Sequence, residues 1–239
     1  MAAYDKKKKT KAAAPTHDTR LSRQLSKLLR HRLHDAGLTD CLRPDGFVPV
    51  GRVLACLPEG ATVDALRRVV EDNDKRRFAL LEEAGALYVR ANQGHSVSLG
   101  LDDAAMLAEV SAAEAESLVC VHGTYLASWP AIRAGGLSRM QRRHVHFAAA
   151  VDASKVISGM RRTAEVLVYL DAAKAVAAGL RLYRSANGVL LSPGDERGVV
   201  STAFFARVVV AATGEALPVE DADSGPRPNR RERRKQLGK

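Results

Sequence analysis

The 239-residue chain has few cysteines, few aromatic side chains and no long apolar run. These shortages restrict the classes of protein to which it can belong. Cys41, Cys56 and Cys120 are odd in number and widely spaced, which argues against a disulfide framework and favours a reducing compartment. No apolar run approaches the roughly 20 residues that span a membrane, and the N-terminus does not have the pattern of a signal peptide. We therefore expect a cytoplasmic or nuclear protein without a membrane partner.

Acidic side chains are also in short supply. The chain has 37 Lys and Arg residues against 27 Asp and Glu, which gives a net charge of +10 and favours an anionic partner such as RNA. Residues 1–20 have a net charge of +4 and residues 214–239 a net charge of +2. Because both ends lack an apolar period, residues 1–18 and 214–239 are predicted to be disordered basic tails, either simply solvated or serving RNA tethering or nuclear import.

A regular leucine pattern opens the body of the chain. The leucines recur at helical spacing and predict an amphipathic helix over residues 21–36, ending near Gly37, with Asp18 or Thr19 as its cap. Arg30 and His31 lie on either side of the polar face of this helix. Both side chains can therefore reach solvent or a ligand.

Two more helices and a hairpin follow. The pattern predicts short helices over residues 50–57 and 62–72, the second capped by Thr62, and strands over residues 78–81 and 87–90. Helices followed by a two-stranded wing are typical of a winged-helix lobe, which we place at residues 19–98. Such lobes often bind nucleic acids, although a fold alone does not establish a function.

Polar side chains gather at the two ends of this hairpin. The segment Asn73-Asp-Lys-Arg-Arg77 precedes it, and Arg90-Ala-Asn-Gln-Gly-His-Ser96 follows it. Arginine suits phosphate because its planar fork matches two oxygens. The composition therefore predicts contacts with a polyanion, and the candidate RNA-binding residues are Lys75, Arg90, Gln93, Gly94, His95 and Ser96.

The second half of the chain is dominated by strand patterns. Residues 99–117 are rich in Ala, Asp and Glu, and we interpret them as a connector to a second lobe at residues 118–213. Strands are predicted over residues 166–170, 180–183, 189–191 and 204–211, with a helix capped by Asp171 and a turn at Ser185-Ala-Asn187-Gly188. The fold class is therefore α+β, with a mainly antiparallel sheet in the second lobe.

Histidines mark the candidate ligand site of this lobe. Gly123, between His122 and Thr124, leaves backbone N–H groups open to a phosphate or a carboxamide. Strand alternation directs His144 and His146 to one face while the residues between and after them pack on the other. Because no cysteine or carboxylate stands at ligand spacing, a metal site is not predicted.

Five segments taken together resemble the RNA 2′-phosphotransferase family, the enzymes that remove a splice-junction 2′-phosphate from tRNA with NAD. They are Leu25-Ser-Lys-Leu-Leu-Arg-His31; Asn73-Asp-Lys-Arg-Arg-Phe78 with Arg90-Ala-Asn-Gln-Gly-His-Ser96; His122-Gly-Thr124; His144-Val-His146; and Ser158-Gly-Met-Arg161 with Ser185-Ala-Asn-Gly188. The resemblance covers about residues 20–205.

The resemblance implies a winged-helix lobe followed by an ADP-ribosyltransferase-like lobe, acting as a monomer on RNA that has an internal 2′-phosphate. It implies that the catalytic residues are Arg30, His31, Arg77 and Arg161. It implies that NAD lies against His122, Gly123, Thr124, His144, His146, Ser158, Gly159, Met160 and Asn187. No metal is required.

The implied reaction has two steps. The RNA 2′-phosphate attacks the C1 carbon of the nicotinamide ribose and expels nicotinamide, and the adjacent ribose hydroxyl then attacks phosphorus to release 2′-OH RNA and ADP-ribose 1,2-cyclic phosphate. His31 either holds the phosphate or moves a proton. Two other readings stay open: an ADP-ribosyltransferase that acts on nucleic-acid phosphates and stops after the first step, and a non-catalytic RNA-binding module.

Overall fold

The computed structural model describes residues 17–96, 99–149 and 163–219, and its strand pairs are all antiparallel. The helices are α1 (His17–His31), α2 (Val50–Ala55), α3 (Val63–Glu71), α4 (Asp103–Met106), α5 (Ala112–Glu116), α6 (Trp129–Gly135) and α7 (Ala172–Ala177). The strands are β1 (Val48–Pro49), β2 (Phe78–Glu83), β3 (Ala86–Ala91), β4 (Ala108–Glu109), β5 (Cys120–Thr124), β6 (Leu137–Ser138), β7 (Val145–Phe147), β8 (Val166–Leu170), β9 (Tyr183–Arg184), β10 (Leu190–Ser192), β11 (Val199–Val200) and β12 (Phe205–Val210). The α+β class predicted from the sequence is confirmed.

The leucine pattern forms the first helix, with shifted ends. Helix α1 buries its leucine stripe but ends at His31, five residues earlier than predicted. A turn then carries the chain to Gly37, whose φ of 64° is easily reached only without a side chain. Arg30 and His31 consequently lie in the last turn of α1, where the polar face of the helix meets the loops that follow β3.

Helices α1 to α3 pack around a three-stranded sheet of order β1-β3-β2. The predicted cap and hairpin are both confirmed. Thr62 Oγ1 accepts a hydrogen bond from the N–H of Ala65, and β2 pairs with β3 from Phe78 to Glu83. Strand β1 was not predicted, because two residues are too few to show a period of two.

The second half of the chain contains three more sheets. Their strand orders are β4-β9-β10-β7, β11-β6 and β12-β8-β5. The predicted strand at residues 166–170 is confirmed as β8, and Asp171 Oδ1 caps the following helix through the N–H of Lys174. Within the described part of the chain, strand β5 has one strand partner, β8, and one bridge on its other side, from Val121 to Ala148.

Two apolar cores meet at strand β10. Leu191 packs into the core of α1, α2 and α3, whereas the adjacent Leu190 packs into the core of β5, β7 and β8. Residues 99–117, predicted as a connector, contribute Leu101 to the first core and Val110 to the second. None of the described helices is long and apolar enough to cross a membrane.

Candidate functional site

The last turn of α1 presents a half-buried arginine beside an exposed histidine. Burial, together with the charges of Arg77 and Arg142, lowers the pKa of Arg30 to about 10, so its guanidinium stays protonated at neutral pH. Its Nε has no hydrogen-bond partner within the described part of the chain. A Cβ on Gly94 would lie 3.5 Å from Arg30 Cζ, so the bare backbone there packs against the guanidinium. His31 Nδ1 lies 3.0 Å from Ser96 Oγ, which fixes the plane of its ring.

Arg77 is positioned by the turn that connects α3 to β2. Asn73 Oδ1 accepts hydrogen bonds from both the backbone N–H and Nη1 of Arg77, at 3.2 and 3.3 Å. Arg76 adopts a φ of 42°, in the left-handed region of backbone conformation, which costs free energy for residues other than glycine. The surrounding hydrogen bonds hold this conformation, since Arg76 O accepts from Asn92 Nδ2 at 2.7 Å. The turn thus fixes the direction in which Arg77 leaves the sheet.

His31 and Arg77 line one cleft between α1 and the α3–β2 turn. Its volume is about 760 Å³. Arg30 and Arg142 lie within electrostatic range, because their charges, after burial, lower the pKa of His31 below its usual value. We call Arg30, His31, Arg77 and Arg142 the cationic side of the site. A phosphate entering this cleft meets several positive charges at once.

Three histidines form the second part of the site, which we call the imidazole side: His122, His144 and His146. His146 Nδ1 lies 3.1 Å from the carbonyl oxygen of His144, and His122 Nδ1 lies 2.9 Å from that of His146. A carbonyl only accepts, so both Nδ1 atoms carry the proton. Burial is the largest cause that lowers the pKa of both rings, to about 3 for His146. Each ring is therefore neutral and offers an Nε2 lone pair to a ligand that donates.

Asp103 anchors the third histidine. Its Oδ2 lies 3.0 Å from His144 Nε2, and its Oδ1 accepts from Arg143 Nη2 at 2.8 Å. Burial raises the pKa of this carboxyl, but the hydrogen bonds from His144 and Arg143 outweigh it and bring the pKa to about 2. Asp103 belongs to α4, so the segment between the two cores holds the histidine strand in place.

The two sides of the site are adjacent. The charges of Arg142 and Arg30 contribute to the lowered pKa of His146, on the imidazole side, as they do to that of His31. A direct contact also joins the halves of the chain, because Asn187 Nδ2 donates to the carbonyl oxygen of Lys75 at 2.8 Å. The amide oxygen of Asn187 accepts from Ser185 Oγ. The predicted NAD residue Asn187 therefore lies against the turn that carries Arg77.

The predicted RNA-binding residues are divided between surface and interior. Lys75 lines the cleft, and Ser96 contacts His31 at its edge. In contrast, Gln93, Gly94 and His95 are buried. Arg90 donates to the carbonyl oxygen of Asp45 and stacks on the ring of Phe47. RNA contact by these six residues stays a prediction, and the buried ones would act on RNA only by shaping the loop behind Arg30.

The remaining predicted site residues divide in the same way. Thr124 is buried and Gly123 lies in β5 opposite Leu167, whereas Ser158, Gly159, Met160 and Arg161 lie outside the described residues. Among the residues that are described, no group of three or more His, Cys, Asp or Glu side chains could hold a metal ion.

Three residues of the site were missed at the sequence level. Asn73 belongs to the Asn73–Arg77 motif, but the motif does not indicate its role as the acceptor for Arg77. Arg142 was not predicted as a site residue, although it lies two residues before His144. Asp103 gave no local signal, because its partners lie 40 and 41 residues away along the chain. A basic pair directly before a His-x-His strand is the signal that could have identified Arg142.

Comparison with known proteins bears directly on this site. A family model described as RNA 2′-phosphotransferase, Tpt1 / KptA family, matches residues 16–194. The chain is 42% identical to tRNA 2′-phosphotransferase 1 of Danio rerio over 197 residues, 80% of this chain and 85% of that protein. It is 39% identical to a putative tRNA 2′-phosphotransferase of Schizosaccharomyces pombe over 233 residues, 93% and 59% of the two proteins. It is 36% identical to tRNA 2′-phosphotransferase 1 of Homo sapiens over 229 residues, 91% and 88%. Both sides of the candidate site lie inside the matched range.

Proposed function

Since the chain belongs to the RNA 2′-phosphotransferase family, we propose that it removes an internal 2′-phosphate from RNA by transferring it to NAD. The names of its relatives print tRNA 2′-phosphotransferase, and the RNA we propose is the splice-junction product of tRNA ligation. The products are 2′-OH RNA, nicotinamide and ADP-ribose 1,2-cyclic phosphate. The observation that supports this most is the adjacency of a cluster of arginines to the neutral rings of His122 and His146.

The cationic side suits the phosphate. Arg30 and Arg77 neutralise its charge and fix it for in-line displacement, as metal ions do in other phosphoryl transfers. Arg161 joins them by resemblance to the family. His31 is neutral before the phosphate binds, because burial and the neighbouring arginines lower its pKa. A bound phosphate dianion opposes that shift, so His31 can take up a proton at the site and return it to the departing RNA 2′-oxygen.

The imidazole side suits NAD. When bound, NAD supplies the C1 carbon of its nicotinamide ribose, the C1–nitrogen bond that breaks, and the neighbouring hydroxyl that later attacks phosphorus. The unprotonated Nε2 atoms of His122 and His146 accept hydrogen bonds from ribose hydroxyls or from the carboxamide N–H groups. An anion gains nothing from neutral acceptors. This favours the carboxamide over the phosphate among the two ligands that suit the His122-Gly-Thr124 segment.

The domain assignment follows the same division. We propose that residues 19–98 form the winged-helix lobe and residues 118–213 the ADP-ribosyltransferase-like lobe, joined by residues 99–117. Three helices packed on a three-stranded sheet, whose strands β2 and β3 form a hairpin after the last helix, support the first assignment. The antiparallel sheets of the second half support the second assignment. So does the position of His122 on β5, a strand that pairs with β8 on one side and forms an isolated bridge on the other.

The test is product analysis with a 2′-phosphorylated oligonucleotide, NAD and no added metal. We expect nicotinamide, 2′-OH RNA and the cyclic phosphate in equal amounts. Accumulation of ADP-ribosylated RNA alone would favour the transferase that stops after one step. Binding without any NAD-dependent change in the RNA would favour the non-catalytic module.

A further inference from the structure

The cleft extends well beyond His31 and Arg77, along one face of α1. We call this extension the α1 groove. Its α1 wall consists of Asp18, Thr19, Ser22, Arg23, Ser26 and Lys27. From Thr19 to His31 the wall is about 18 Å long, at about 1.5 Å per helical residue. One strand of nucleic acid advances about 3.4 Å per stacked nucleotide, so the groove has room for several nucleotides.

Positive charge in the α1 groove is open to a ligand. No carboxylate of the described chain pairs with Arg23, Lys27 or Lys75. The carboxylate of Asp18, on the groove wall, lies 3.8 Å from the guanidinium of Arg68, a residue that does not line the groove. Asp72 and Asp74 lie on the opposite wall. A polyanion would therefore follow the α1 wall, with Lys27 one helical turn before His31.

Among the described residues, the groove lacks the side chains that recognise bases by stacking. The walls formed by these residues contain no Phe, Tyr or Trp, and the hydroxyls on α1 alternate with the two cations at helical spacing. Stacking on aromatic rings is how single-stranded bases are usually held, whereas cations and hydroxyls contact phosphate and sugar. The surface fits a nucleic-acid backbone of any sequence.

We propose that the α1 groove binds the sugar–phosphate backbone of the RNA nucleotides that flank the 2′-phosphate. This inference rests on the proposed function and adds the path of the substrate away from the reacting atoms. It places the flanking RNA on Arg23 and Lys27 of α1 rather than on the polar residues that follow the β2–β3 hairpin. Recognition is by charge and is therefore independent of the flanking sequence.

The experiment compares two double variants, in α1 and directly after it, that lose the same charge. Arg23→Gln with Lys27→Gln removes the cations of the groove, and Arg20→Gln with Arg32→Gln removes two exposed cations that do not line it. The ligands are a hexanucleotide with a central 2′-phosphate and a dinucleotide with the same group. Binding is measured without NAD, so no chemistry occurs, at several salt concentrations. Turnover of the dinucleotide with NAD reports whether each variant is folded.

We expect the groove variant to bind the hexanucleotide about tenfold more weakly than the control variant at low salt. The slope of log affinity against log salt should fall by about 1.4, because each contact with a single-strand phosphate contributes about 0.7. Dinucleotide turnover should be equal in both variants. Equal loss of hexanucleotide affinity in both, or a wild type that binds the hexanucleotide no better than the dinucleotide, would overturn the proposal. A failure of the proposed function is seen separately, as a wild type that leaves the 2′-phosphate in place with NAD present.

Discussion

The cationic and imidazole sides of the site use basic side chains in opposite states. Arg30 keeps its charge although it is half-buried, and its Nε has no partner in the described chain. His122 and His146 are half-buried as well but lose their charge, because burial lowers their pKa and each has a backbone carbonyl for its Nδ1 proton. The difference teaches which ligand each side can hold: an anion on the first, and a neutral hydrogen-bond donor on the second. Each prediction below acts on one side only.

The largest expected effect is on the cationic side. Arg77→Ala should slow turnover of 2′-phosphorylated RNA by about 100- to 1,000-fold, because a well-placed donor is worth about 2.7–4 kcal/mol where charge develops. The loss should fall mainly on attack at phosphorus, so ADP-ribosylated RNA should accumulate in quenched time courses. Arg77→Lys should rescue poorly, since a point charge lacks the two-point grip.

The matched control for this prediction is Arg67→Ala. Arg67 is a partly exposed residue of α3 that pairs with Glu82 and does not line the cleft, and its loss should leave turnover within about twofold. An Arg77→Ala enzyme that binds both substrates normally, accumulates no ADP-ribosylated RNA and releases nicotinamide just as slowly would assign Arg77 to the first step instead.

Neutral histidines, His146 on the imidazole side and His95 beside it, should make the protein sensitive to mild acid. The folded pKa values of His146 and His95, both about 3, lie below the usual 6.5, so the unfolded chain binds the extra protons. The stability that comes from these neutral rings is fully present above pH 6.5. As pH falls toward 3, each of these histidines reduces the free energy of unfolding by about 1.4 kcal/mol for every pH unit.

Denaturant unfolding between pH 7 and pH 5 measures this slope. His146→Gln should reduce it, whereas the exposed His34→Gln should leave it unchanged. If His146→Gln lost as much stability with falling pH as the wild type, His146 would not be held neutral by the fold.

Asp103 should behave differently from the histidines in the same experiment. Its folded pKa of about 2 lies below the usual 3.8, so its contribution is full above pH 3.8 and is lost only as pH falls toward 2. Asp103→Asn should cost roughly 1–3 kcal/mol, because one carboxylate oxygen becomes an NH2 group and either Arg143 or His144 loses its acceptor.

The measurement is again the free energy of unfolding, with the exposed Glu109→Gln as control. The difference between wild type and Asp103→Asn should be the same at pH 7 and pH 5, where the histidine contribution changes. A difference that changes over this range would mean that the contribution of Asp103 is linked to a group that titrates between pH 5 and pH 7.

The features predicted correctly from the sequence were local ones. The leucine stripe of α1, the Thr62 and Asp171 caps and the β2–β3 hairpin each depend on residues a few positions apart. For the candidate site, the motifs predicted which segments meet, because the order of those segments reproduces that of a family.

The features that were not predicted depend on distant partners. Strand β1 exists because β3 is next to it, and Asp103 matters because β7 brings His144 to it. The burial of Gln93 and His95 could not be seen in the sequence either, since polar residues after a hairpin are usually solvated. Which polar residues face the ligand is a property of the assembled fold.

The smallest expected effect separates support from catalysis on the cationic side. Asn73 Oδ1 accepts from Arg77 at two points, so Asn73→Ala should leave the guanidinium present but less well oriented. Turnover should fall roughly 2- to 12-fold, which corresponds to about 0.5–1.5 kcal/mol for one hydrogen bond. A double-mutant cycle measures whether this loss acts through Arg77. In an Arg77→Ala background, Asn73→Ala should cost almost nothing further, because there is no guanidinium left to orient. Losses that simply add would show that Asn73 supports the turn through its contact with Ser22 and not the chemistry through Arg77.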